Sequence, residues 1–244
     1  MTDPQSAAAI AAEHLALVED GTRALLETVA GLAPEALAEP SALPGWTRGH
    51  VLAHVSRNAD SLVNLLTGAR TGTDIPQYAS EHAREEGIQE GAGRPLEAQL
   101  ADLRESHQRF LAAAALMAPE DWAAEVRHRS GAVFPACDLA WKRLGELEYH
   151  LVDLDGGYGP AEWPELFAVT EFRKLATKLA GADLPAVELV AEDTGDKGLI
   201  GTGAAALTVR GPVRGLLAWL SGRSAGTDLA RTPDTALPQL PPLG

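Results

Sequence analysis

Apolar positions between residues 6 and 32 (Leu15, Leu17, Val18, Leu25, Leu26 and Val29) follow a helical pattern in an Ala- and Glu-rich run that stops near Gly31. Pro34 to Pro44 is turn-rich. Thr47 is then placed to cap a second helix reaching about Thr67, with Val51, Val55, Leu62 and Leu66 on its apolar face and Gly68 at its end. Residues 69–94 lose the periodicity. Their glycines, Pro76 and many charges predict a long irregular connection of the kind that often serves as a lid or rim. Leu96–Met117 predicts a third helix stopped by Pro119, and a fourth runs from just after Pro135 to about Asp155. Gly156, Gly157, Gly159 and Pro160 then break the chain. The expected architecture is mainly α, with an N-terminal four-helix bundle over residues 1–158.

Beyond the break the pattern changes. Pro164–Leu179 predicts a helix ended by Gly181. Val187–Val190 and Ala206–Val209 are short β-rich runs, and Pro212 starts a helix over Val213–Leu220. Residues 159–244 are therefore expected to form a small C-terminal α/β domain with an irregular, proline-rich tail from Thr232 to Gly244. No internal repeat is visible.

The fourth helix carries the candidate chemistry. Ala140, Leu144, Leu147, Leu151 and Leu154 make a seam for the bundle interior. Beside it runs a polar stripe of Arg143, Glu146, His150 and Asp153. Ionisable groups so close to a core are costly unless they are paired or bind something. Glu146 and His150, one turn apart, can share a metal ion; they can equally form a plain helical ion pair. The second helix offers His50 and His54. His54 lies among Val51, Leu52 and Val55, and it supplies a third ligand if the two helices are neighbours. Two imidazoles and one carboxylate leave a coordination position open, as in catalytic zinc sites, and suit iron(II) or another divalent metal as well. Asp153 either orients His150 from behind or favours solvent near the helix end. Glu148, two residues from His150, falls on a different face.

Composition narrows the class. The 244 residues are 45% hydrophobic and 22% charged, which is ordinary for a globular chain. Asp plus Glu number 34 against 20 Lys plus Arg, and a net charge of −14 disfavours a nucleic-acid partner. No apolar run is long enough to predict a membrane span, and Met1–Gln5 has neither a basic nor an apolar signal region. Cys137 is the single cysteine. No internal disulfide can form, a cytoplasmic location is expected, and any thiol chemistry draws its sulfur from outside the chain. Cys137 itself is expected to be a small semi-buried residue.

The stretch Leu43-Pro44-Gly45-Trp46-Thr47-Arg48-Gly49-His50-Val51-Leu52-Ala53-His54-Val55 resembles the signature of the mycothiol-dependent maleylpyruvate isomerase family, which belongs to the DinB-like four-helix metal-binding bundles. Arg143-x-x-Glu146-x-x-x-His150-x-x-Asp153-Leu154 is similar to that family's second motif. Pro76-x-Tyr78-x-Ser80 with Ala83-Arg84-Glu85, and Gly211-Pro212 through Arg223, are similar to its loop and C-terminal domain. The resemblance covers roughly residues 43–223. It implies that His54, Glu146 and His150 bind a divalent metal, zinc first, with Asp153 supporting His150. It implies that Arg223 reaches the site from the second domain and binds anionic substrate or cofactor groups. Arg143 is expected to pair with Glu146 or Asp153, and Tyr78 and Arg84 receive no definite role.

The implied activity is mycothiol-dependent conversion of maleylpyruvate to fumarylpyruvate, as in gentisate-type aromatic degradation. A low-molecular-weight thiol, held as thiolate on the metal, adds reversibly to the cis double bond of a dicarboxylate substrate. Two other readings stay open: a mycothiol S-transferase that conjugates electrophiles, and a non-catalytic bundle that binds a small anion or a partner.

Overall fold

In the computed structural model, which describes residues 3–241, helix α1 (Pro4–Ala30) begins where Asp3 accepts a hydrogen bond from the Ser6 backbone and Pro4 fills the first turn. Helix α2 (Arg48–Thr71) begins at the predicted cap: Thr47 Oγ1 accepts from the His50 backbone, and His50 Nδ1 accepts from the Thr47 backbone at 3.2 Å. It runs past the predicted stop. Gly68 lies inside it, where a Cβ would come within 2.8 Å of the Thr73 carbonyl, and the left-handed residue that ends it is Gly72.

Residues 69–94 are not irregular throughout: Glu81–Ala92 forms helix α3, capped by Ser80 Oγ, which accepts from the Ala83 backbone at 3.0 Å. It escapes the periodicity argument because Ile88 and Gly91 are its buried residues, and its contact with α2 is made by small residues instead of an apolar stripe. Helix α4 (Leu96–Ala115) stops before Pro119, which opens a further short helix, α5 (Pro119–Ala123). A hairpin of β1 (Glu125–Arg127) and β2 (Val133–Pro135) follows; strands of three residues are too short to show alternation. Helix α6 (Asp138–Asp153) completes the bundle.

The long helices pack in a ring: α1 against α6, α6 against α2, α2 against α4, and α4 against α1. The expected four-helix bundle is thus present. Leu25, Leu52, Leu103, Phe110, Leu144, Leu147 and Leu151 fill it with at most 1% exposure, each contributing roughly 1.5–3 kcal/mol by burial. Two arginines fasten α6 to α2. Arg48 Nε donates to the Leu154 carbonyl at 2.8 Å, at the C-terminal end of α6, while the same guanidinium pairs with Glu39. The wholly buried Arg143 donates to the Val55 carbonyl at 2.8 Å and to Asn58 Oδ1 at 3.0 Å. It therefore pairs with α2 and not, as the sequence suggested, with Glu146 or Asp153; its length carries the guanidinium across the helix interface.

His107 on α4 yields a pH prediction. Its Nδ1 lies 3.2 Å from Thr22 Oγ1 on α1, and burial, helped by the nearby Arg143 charge, pushes its pKa down to about 4. Between the ordinary histidine value and that lowered one, the unfolded chain binds a proton that the folded chain does not. Stability therefore falls as pH drops through this window. Discounted for partial exposure, the loss is about 1.5 kcal/mol. Urea titrations at pH 7 and pH 4.5 should show His107→Gln losing less stability on acidification than the parent, and identical pH slopes would refute this.

The chain divides at Tyr158/Gly159 into two compact units. The second contains α7 (Glu165–Leu179), β3 (Ala180–Ala191), β4 (Lys197–Gly211), α8 (Val213–Leu220) and β5 (Ala230–Thr232). Its strands extend well beyond the predicted cores. β4 bends so that both edges of β3 are paired: Val187–Val190 runs antiparallel to Lys197–Ile200 on one side and parallel to Leu207–Arg210 on the other. Gly201, at φ 77°, makes the bend possible, since a Cβ there would sit 2.5 Å from two carbonyl oxygens. β5 pairs antiparallel with Thr208–Arg210, so the predicted irregular tail begins in a strand at Thr232. The last three residues of that tail, like the first two of the N-terminal segment, lie outside the described residues. Among the described residues no helix is long and apolar enough to cross a membrane.

Candidate metal centre

The α6 seam decides what meets α2. Ala140, Leu144, Leu147 and Leu151 are fully buried, and their burial turns the adjacent stripe toward α2. Glu146 and His150 thereby come to face His54, two turns into α2 from the Thr47 cap. His54 Nε2 lies 2.9 Å and His150 Nε2 lies 3.3 Å from the same oxygen, Glu146 Oε2. The imidazole centroids are 4.8 Å apart with rings almost perpendicular, at 89°. One potential ligand atom from each of the three residues lies within 4.8 Å of the others.

The electrostatics favour donation by His54. Burial lowers the pKa of His54 against the opposing pull of Glu146, so the ring is neutral and keeps a lone pair. Burial also disfavours a charged His150, but hydrogen bonds to Asp153 and Glu146 outweigh it and raise the pKa. Burial alone would raise Glu146; hydrogen bonds from His150 and His54 override it and hold the carboxyl well below the usual range. Asp153, 2% exposed, sits 2.9 Å from His150 Nδ1. That contact fixes the proton on Nδ1 and presents Nε2 to Glu146. Two imidazole nitrogens and a carboxylate oxygen aimed at one point form a donor set suited to zinc, and to iron(II) or a similar divalent ion. A cation held there would take the place of the protons now shared with Glu146.

Other residues frame this point. The Trp46 ring meets His54 edge-on, with centroids 5.5 Å apart, and walls off one side. Arg84, on α3, brings Nη2 to 3.4 Å from His54 Nδ1 and lies over the Tyr78 ring at 5.9 Å. Burial raises the Tyr78 pKa despite bonds to Ser61 and Arg84, so the phenol keeps its proton. Tyr78 also lines a cleft of about 460 Å³ with Arg127, His128 and Arg129 from the β-hairpin. The sequence left Arg84 and Tyr78 without a role because it placed both in a loop; Ser80 three residues before Ala83 was the available sign of a helix cap.

His50 is not drawn to the cluster. Its Nδ1 serves the Thr47 cap and its Nε2 lies 3.1 Å from Gln89 Oε1. Glu148 faces away toward Gly21 of α1, accepts a hydrogen bond from Tyr158 at 2.6 Å, and is pushed by burial up to about 7. Cys137 is buried at the start of α6, and burial with the Asp138 charge raises its thiol, which makes it a poor nucleophile. Arg223 belongs to the second unit. It closes the end of α8, its backbone donating to the Ala218 carbonyl at 2.8 Å and its Nη1 to the Ser221 carbonyl at 3.1 Å.

The family model of the mycothiol maleylpyruvate isomerase N-terminal domain matches residues 18–155. Among solved structures, the chain is similar to a crystal structure of the mycothiol-dependent maleylpyruvate isomerase, with 27% identity, a TM-score of 0.89, and 96% of this chain and 97% of that one covered. A second similar structure, of a histidine-to-alanine mutant of such an isomerase, gives a TM-score of 0.88 at the same identity and coverage. No curated protein sequence matches significantly.

Proposed function

Because the chain belongs to the mycothiol maleylpyruvate isomerase N-terminal domain family, we propose that it is a metal- and mycothiol-dependent cis–trans isomerase that converts maleylpyruvate to fumarylpyruvate. The observation that carries this reading is the convergence of His54, Glu146 and His150 from two helices on one point. His54, Glu146 and His150 would hold a divalent cation, zinc first, which would supply a Lewis acid able to keep a thiol ionised at neutral pH. Mycothiol would supply the nucleophile for a reversible addition to the conjugated double bond.

The chain's own groups do the rest. Glu146 is the single carboxylate among the three donors, so the donor set only partly neutralises a divalent charge. Asp153 holds a His150 proton on Nδ1, so that Nε2 is the nitrogen that would give up its proton to a cation. Trp46 shields the His54 side from water. The substrate's two carboxylates need cations in a chain of net charge −14, and a guanidinium such as that of Arg223 is suited to bind one bidentately.

Purified protein should contain about one zinc per chain, and should convert maleylpyruvate to the trans isomer only with mycothiol present and metal retained. Proton NMR of the mixture follows the isomers and the thiol together. Recovery of the thiol unchanged supports isomerisation. Accumulation of a stable thioether would instead identify an S-transferase, and turnover that survives chelation would remove the metal from the proposal.

A further inference from the structure

Arg84 occupies an unusual position for a guanidinium. Its contacts are the His54 ring and the Tyr78 ring, and among the described residues no carboxylate forms an ion pair with it. Its neighbours on the bundle surface behave differently: Arg57 pairs with Asp60 and Asp102, and Arg109 with Asp60. A guanidinium 3.4 Å from one of the three converging residues thus has no carboxylate partner among the described residues.

The contact with His54 depends on which ring nitrogen carries the proton. A neutral imidazole has one N–H and one lone pair. Arg84 can donate to Nδ1 only when Nδ1 holds the lone pair; Nε2–H then donates to Glu146. A ring that gives Nε2 to a cation carries its proton on Nδ1. Nδ1–H and the guanidinium N–H groups are both donors and cannot bond to each other. A metal taken up on Nε2 would therefore break the Arg84–His54 contact, while Tyr78 still offers the face of its ring to the guanidinium.

We propose that Arg84 is the carboxylate-binding residue at the metal centre, parked on His54 in the metal-free protein and released by the metal to take one carboxylate of a dicarboxylate substrate. This rests on the isomerase reading for the class of substrate. It goes further in assigning the anion contact to the bundle itself and in coupling that contact to metal loading. The planar fork of Arg84 matches a carboxylate in a way that a lysine does not.

The test uses zinc-loaded full-length protein, its Arg84→Met and Arg84→Lys variants, and maleate as probe with no thiol present. Calorimetry should show maleate binding at least ~10-fold weaker in Arg84→Met and partly restored in Arg84→Lys. Zinc content should be equal in all three, and the KM for mycothiol should stay within about twofold of the parent. Nitrogen NMR of the metal-free proteins should find His54 Nδ1 unprotonated in the parent. Equal maleate affinity in all three proteins overturns the assignment, and so does loss of zinc from Arg84→Met, which would make Arg84 a structural support. Failure of the parent itself to take up zinc overturns the metal-centre reading, a result distinguishable from either.

Discussion

Replacing His54 with alanine is expected to remove bound zinc and, with it, all mycothiol-dependent turnover, while leaving the fold intact. His54 is one of three donors drawn from two helices, so its loss leaves only Glu146 and His150, one turn apart on α6. Partners that merely support a ligand already cost 10–100-fold in metal affinity, so losing a ligand should cost more than ~100-fold. Asp153→Asn gives the graded comparison. It keeps the shape behind His150 but removes the charge that holds the Nδ1 proton, and a fall of about 10–100-fold is expected. Competition with a chromophoric chelator measures both, and far-UV circular dichroism checks the fold. Full zinc occupancy in His54→Ala would show that the ion sits elsewhere.

The second large effect concerns packing. At Gly49, in the first turn of α2, a Cβ would come 2.2 Å from the carbonyl oxygen of Ala92 at the end of α3. That neighbour is backbone, so no rotamer change can relieve the overlap. The same junction is stapled by Gln99 Nε2, which donates to the carbonyls of Gly49 at 3.2 Å and Gly91 at 3.0 Å. Gly49→Ala would gain up to ~1 kcal/mol of helix propensity but must push α3 away, straining the Gln99 bonds. A net loss of about 2 kcal/mol is expected for the N-terminal unit. Because Arg84 rides on α3, the variant should also lose affinity for maleate while retaining zinc, whose proposed donors lie on α2 and α6. Urea unfolding and hydrogen exchange across α3 measure the first effect; unchanged stability and protection would refute the packing argument.

Those two sites also mark the limit of legibility in the sequence. The long helices were visible because each buries a broad apolar stripe at a spacing of 3.6 residues, and the Thr47 cap and the Val213–Leu220 helix follow from local chemistry. Helix α3 was not visible, because it touches α2 through Gly49, Ala53 and Gly91, where close approach replaces apolar bulk. The bend in β4 that lets one strand pair both edges of β3 is equally silent, since register is a long-range property.

At the centre the division is finer. The spacing of Glu146, His150 and Asp153 on one helix fixed their mutual arrangement in advance, because the helix pitch is the same in any protein. His54 could join Glu146 and His150 only on the condition that α2 and α6 be neighbours. Periodicity shows which face of a helix is buried but not which helix covers it, so that condition belonged to the packing. The same limit hid the partners of Arg143, which crosses to α2, and the place of Arg84 against His54. Local covalent geometry and side-chain chemistry act within a turn or two and are written in the order of residues; contacts between elements depend on shape summed over the whole core, which a single helix does not carry.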